Sequence, residues 1–146
     1  MRAVEKYLKD AIIIFDDFLA KPTNQRVFFN PEGKAFKTYN GYIASFGTMV
    51  LQSGLLPAAV VFSAENENSD KDRRPIVNAI FQLIKNKQLS GLDKPDQARD
   101  LLNWVKGKPN DHALRQEVMN ASIALKLAFR TFEFEKQNPQ NTRENG

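Results

Sequence analysis

The chain has 146 residues, the size of one domain, with 42% hydrophobic and 26% charged residues, so it can bury a core and is not wholly disordered. It contains no cysteine, which excludes disulfides, thiolate metal sites and cysteine nucleophiles and fits a reducing, cytosolic setting. Lys and Arg number 21 against 17 Asp and Glu, a net charge of +4 and a pI near 9.4, compatible with an anionic partner or simply with solubility.

Val4, Tyr7, Leu8, Ala11, Ile12, Phe15, Phe18 and Leu19 recur at three- and four-residue steps, which predicts an amphipathic helix over residues 2–20 that Pro22 ends. The run Ala11 to Phe15 is too short for a signal or membrane segment. Lys21 to Gly33 holds Pro22, Asn24, Asn30, Pro31 and Gly33 around Val27-Phe28-Phe29. It reads as a connection whose aromatics dock on the core, with a short hairpin left open.

Phe36, Tyr39, Ile43, Phe46 and Val50 predict a second helix that stops at Ser53-Gly54. Its two glycines, Gly41 and Gly47, are expected to mark close helix packing rather than a break. Pro57 sits where a first helical turn tolerates it, and Ala58 to Ala64 reads as a short, apolar, central helix. The polar run Glu65 to Asp72 closes it. Arg74-Pro75 opens a fourth helix with Ile76, Ala79, Ile80, Leu83 and Ile84 on one face, ending before Ser90-Gly91. Asp93-Lys94-Pro95 opens a fifth, turning Ala98, Leu101, Leu102 and Val105 inward and stopping at Gly107 and Pro109.

The last helix starts at an Asn110 or Asp111 cap and shows Leu114, Val118, Ala121, Leu125, Ala128 and Phe132 at alternating four- and three-residue steps, the longest regular element expected. Residues 137–146 contain no apolar side chain and read as a disordered tail. The fold class is therefore all-α, a compact bundle of about six helices with a long C-terminal helix, in one domain over residues 1–136.

Chemistry is sparse. His112 is the only histidine, so a triad or a histidine metal cluster would have to assemble at the start of the last helix, where a solvent-facing first-turn residue is the simpler expectation. Asp16 and Asp17 diverge by roughly 100° on a helix and do not converge on one ion. Glu65 and Glu67 look like ordinary surface. No phosphate loop, dinucleotide fingerprint or nucleophile elbow is present. The expectation is a chain without catalytic residues, metal or cofactor.

Basic residues say more. Lys71, Arg73, Arg74, Lys85 and Lys87 crowd the fourth helix with only Asp72 opposing them, and Arg115, Lys126 and Arg130 fall within roughly 60° of one another on the last. Such flanks suit a phosphate backbone, and they also keep helices soluble. Tyr39 and Tyr42 have the chemistry to stack on bases, but their helical spacing favours the core.

The segment Phe46-Gly47-Thr48-Met49-Val50-Leu51-Gln52-Ser53-Gly54-Leu55-Leu56-Pro57-Ala58 resembles the hallmark of the Cmr small subunits of type III-B CRISPR effector complexes. Leu101-Leu102-Asn103-Trp104-Val105 and Leu125 to Phe132 resemble later parts of that family, so the likeness runs from about residue 34 to about 134. Residues 20–34 have no counterpart in it, and Thr131 replaces a basic position that relatives often carry. The resemblance implies a cytoplasmic, non-catalytic helical subunit that stacks with copies of itself beside other effector subunits, along guide RNA and target RNA. Under it, Lys37, Arg73, Arg74, Lys126 and Arg130 are the expected RNA-phosphate contacts, independent of sequence. Three other readings stand beside it. They are a helix-turn-helix DNA binder using Asn78 and Gln82 of the fourth helix, a protein-only adaptor, and a small hydrolase using His112.

Overall fold

The computed structural model describes residues 2–64, 71–86, 102–103, 105–107 and 112–136. Among them are five α-helices: α1 (Arg2–Ala20), α2 (Lys37–Ser53), α3 (Leu55–Ser63), α4 (Arg74–Asn86) and α5 (His112–Phe129). The expected all-helical bundle is present. The predicted fifth helix falls mostly outside the described residues; Leu102, Asn103 and Val105 of it are helical, and Val105 is fully buried. The expected caps Asn110 and Asp111 and the tail 137–146 also lie outside.

The axis of the bundle is the pair α1 and α5. Ala121, Ala124 and Ala128 are fully buried on α5, and their small side chains let α1 approach closely. The two helices run parallel. Near their starts the Tyr7 hydroxyl donates to Glu117 Oε2 and Lys6 Nζ donates to Glu117 Oε1 at 2.7 Å; near their ends the Phe15 and Phe129 rings lie 4.9 Å apart. α2 runs the other way along α5. The Arg115 guanidinium near the start of α5 donates to the Leu51 carbonyl near the end of α2 at 2.9 Å.

The sequence periodicity places the core well. Val4, Tyr7, Ala11 and Phe15 of α1 and Tyr39, Ile43, Phe46 and Val50 of α2 are buried, as the spacing requires. At Gly54 the backbone turns with φ 102°, a conformation glycine adopts without Cβ strain. Its N–H closes α2 on the Val50 carbonyl at 3.0 Å, and α3 starts at the next residue with Pro57 in its first turn.

Three expectations are corrected among the described residues. α3 is not the central helix, since Val60 is 48% exposed; the more enclosed element is α4, where Ile76, Val77, Ala79, Ile80, Phe81, Leu83 and Ile84 are all buried. α5, at 18 residues, is shorter than α1 at 19, because its period does not carry through Phe132, which lies beyond the helix. Close packing explains Gly47, where an added Cβ would sit 3.4 Å from Ser122 Oγ, but not Gly41, which faces open space in an unbroken helix. The described residues hold five complete helices, and the described residues of the predicted further one, Leu102, Asn103 and Val105, are helical as well.

The connection between α1 and α2 docks its aromatics as expected. Phe28 and Phe29 are buried among Phe15, Phe129 and Tyr39, with Phe28 in edge contact with Phe15 at 5.1 Å and Tyr39 at 4.9 Å. A miniature hairpin forms around it: Phe29 bridges Ala35 in antiparallel sense, with Asn30 N–H donating to the Lys34 carbonyl at 2.8 Å and Phe36 N–H to the Phe28 carbonyl at 2.9 Å. Ala35 also bridges Phe134 in parallel sense, tying the chain after α5 to the start of α2. These are isolated bridges, not strands.

Candidate nucleic-acid interface

Antiparallel packing of α2 on α5 brings the outward arcs of both helices onto one surface. α2 contains no acidic residue, and Glu117, the one acid of α5, points to α1. Lys37 is exposed in the first turn of α2. On α5, Arg115, Lys126 and Arg130 follow the same flank, with Arg130 exposed just past the helix end and Lys126 half-buried. By helical spacing the expected contacts Lys37, Lys126 and Arg130 thus share one face, toward the end of the bundle where α2 begins and α5 stops; α2 and α5 put no carboxylate on it, while the chain after α5 brings Glu133, paired with Lys34 Nζ at 2.7 Å, and Glu135 alongside Ala35 at the same end.

Arg73 and Arg74 sit elsewhere, at the start of α4 on the other flank of α2. Arg74 is engaged: its Nε and Nη2 donate to both Asp72 carboxylate oxygens at 3.0 and 2.6 Å. Asp72 Oδ1 also accepts the Arg74 N–H at 2.9 Å and so caps α4. The hydrogen bonds from the Arg74 guanidinium hold the Asp72 carboxyl below the ordinary aspartate range against the opposing effect of burial, with the Arg74 N–H and the charge of Arg73 adding to the lowering. Arg73 lies with its guanidinium 5.3 Å from the Phe62 ring of α3, and its Nε is buried without a hydrogen-bond partner. Lys71 places its Nζ 3.8 Å from the Phe36 ring, and its N–H donates to the Tyr42 hydroxyl at 3.4 Å. The segment 71–74 is therefore clasped to α2 and α3 by the same charges that make it basic. The side chain of Lys85, and all of Lys87, lie outside the described residues.

Neither tyrosine of α2 forms an open stacking platform. Tyr39 is buried and Tyr42 half-buried, as the helical spacing favoured. His112 is exposed in the first turn of α5, and Asp16 and Asp17 are exposed on α1. Among the described residues no group of three His, Cys, Asp or Glu side chains is placed to hold a metal ion; Glu65 and Glu67 lie outside them. Asn78 and Gln82 are half-buried on α4, with Asn78 Oδ1 itself buried, so α4 offers no free arc to enter a DNA groove. No helix of the described residues is long and apolar enough to cross a membrane.

Sequence alone groups cations by adjacency, as in Lys71 to Arg74, or by angle on a single helix, as in Arg115, Lys126 and Arg130. It had no signal for the pairing of Arg74 or the stacking of Arg73. The relation of Lys37 to Arg130 was equally hidden, because it depends on the antiparallel docking of two helices distant in sequence.

The described residues form a small helical bundle with cationic side chains on the α2 and α5 face. The chain belongs to a family of CRISPR-associated proteins, described as CRISPR-associated protein (Cas_Cmr5), whose profile matches residues 25–128. That span begins inside the segment 20–34 for which the resemblance offered no counterpart. No curated protein and no solved structure matches the chain.

Proposed function

We propose that this chain is a non-catalytic small subunit of a type III-B CRISPR interference complex in the cytosol. It stacks with copies of itself beside the other subunits and contacts guide and target RNA through basic side chains. The observation that carries the RNA contact is the face of α2 and α5 bearing Lys37, Lys126 and Arg130, on which the two helices themselves put no carboxylate. Lys and Arg give charge-assisted contacts to phosphate. Such contacts read the backbone and are independent of base sequence. Arg73 and Arg74 add a second, weaker set, since part of their charge is already engaged by Phe62 and Asp72.

The test is recovery of the tagged chain from its host with sequencing of bound RNA and identification of bound proteins. Short guide-like RNAs together with large effector subunits are the expected result. DNA or unrelated proteins in their place would overturn the reading.

A further inference from the structure

Among the described residues three ion pairs form, and two of them fasten distant segments. Lys6 with Glu117 ties α1 to α5, and Lys34 with Glu133 ties the connection before α2 to the chain after α5. The third, Arg74 with Asp72, joins residues two apart and holds nothing together that the backbone does not already hold. Its side chains are open to solvent, at 43% and 41% exposure. Exposed pairs of this kind contribute little to stability, so the fold does not depend on this one.

The pair instead fills an anion position. Arg74 Nε lies 3.0 Å from each Asp72 carboxylate oxygen, Arg74 Nη2 lies 2.6 Å from Oδ2, and the Arg74 N–H donates to Oδ1 at 2.9 Å. This is the forked grip with which a guanidinium takes two oxygens of one carboxylate or one phosphate, with a main-chain donor added. The neighbouring cations are held independently of Asp72. Lys71 Nζ lies 3.8 Å from the centre of the Phe36 ring, and the Arg73 guanidinium 5.3 Å from that of Phe62. Turning the Asp72 side chain outward therefore leaves those contacts of the segment in place.

We propose that Asp72 is an internal competitor for RNA phosphate at Arg74, holding the guanidinium in the free chain and exchanged for a phosphate when a strand lies along the start of α4. The inference rests on the RNA-binding reading of the chain and adds a regulator to one of its contacts. Asp72 is tethered beside Arg74 at an effective concentration that a lone phosphate in solution does not match; a strand already held by other cations raises its own local concentration. Arg74 thus joins a strand after other contacts have formed and is the first to release it.

The test uses the full chain and a labelled single-stranded oligouridine, followed by fluorescence anisotropy over a range of salt. Asp72→Asn and Asp72→Ser each keep an oxygen able to cap α4 and remove the charge. Both should steepen the fall of log affinity with log salt by about 0.7, one further phosphate contact, which is about 2.6-fold more loss between 50 and 200 mM salt. Adding Arg74→Gln to Asp72→Asn should return the slope to the parent value. Asp17→Asn, which removes an exposed acid from α1, should leave the slope where it was. An unchanged slope in both Asp72 variants, an equal change in Asp17→Asn, or a gain that survives Arg74→Gln would overturn the proposal. A parent chain whose RNA binding shows no salt dependence would overturn the RNA reading and this proposal with it. A parent slope that the Asp72 variants do not move would remove the competitor and leave that reading standing.

Discussion

Removing the charge of Lys37, Lys126 and Arg130 together, by substitution to glutamine, gives a quantitative test of the basic face of α2 and α5. Each phosphate neutralised by a cation contributes a salt slope of about −0.7 for single strands and −0.9 for duplex. Three such contacts therefore account for a slope of about −2.1 to −2.7, so binding should weaken by about 20- to 40-fold between 50 and 200 mM salt. The triple variant should lose that dependence and flatten the plot by nearly the full amount. Arg74→Gln should change it far less, because both carboxylate oxygens of Asp72 already take the guanidinium. The assay is a fluorescence anisotropy titration of a labelled RNA, single-stranded and then paired, with the full chain over a range of salt. A slope unchanged in the triple variant, or an Arg74→Gln effect as large as that of Arg130→Gln, would refute the assignment of phosphate contacts to α2 and α5.

Other outcomes follow from the fold. Phe28→Ala removes a fully buried ring that meets Phe15, Phe18, Tyr39 and Phe129, and should cost about 3–5 kcal/mol in denaturant unfolding; a cost below ~1 kcal/mol would mean the connection before α2 is not part of the core. Gly41→Ala should stabilise by about 0.5–1 kcal/mol, since the site is an open helix interior, whereas Gly54→Ala should destabilise by about 1–2 kcal/mol at its φ of 102°. Opposite signs in thermal melts check the pair. The lowered pKa of Asp72 makes its ion pair a source of stability at neutral pH that is lost as pH falls through the folded value, below the ordinary aspartate value of ~3.9. Asp72→Asn keeps the cap acceptor and removes the charge. Its unfolding free energy should lie below the parent's at pH 7, by under about 1 kcal/mol for so exposed a pair, and the difference should shrink as pH falls below the ordinary aspartate value.

Most of the architecture was written in the periodicity. The buried positions of α1, α2 and α5 fall where three- and four-residue steps put them, because a helix with one apolar stripe has one way to face a core. Gly54 was legible for a local reason, since few residues tolerate its backbone angle. The misreadings concern tertiary packing. Val60 and Ile76 are equally apolar, yet neighbours distant in sequence bury only Ile76. Gly41 and Gly47 look alike in sequence, but only Gly47 lies beneath Ser122.

The same limit governs the charges, and it sets what a basic face means. A run such as Lys71, Arg73 and Arg74 is conspicuous because its members are adjacent, and adjacency on a loop lets Asp72, Phe62 and Phe36 engage them. Lys37 and Arg130 are separated by most of the chain, and no spacing relates one to the other. They become one surface only because α2 and α5 run antiparallel, with Gly47 against Ser122 at the crossing and the Ala35 bridge to Phe134 fixing the far end. The density of basic residues along the chain therefore overstates the α4 cluster and understates the α2 and α5 face. A ligand that responds to unopposed charge in space will rank the two faces the other way.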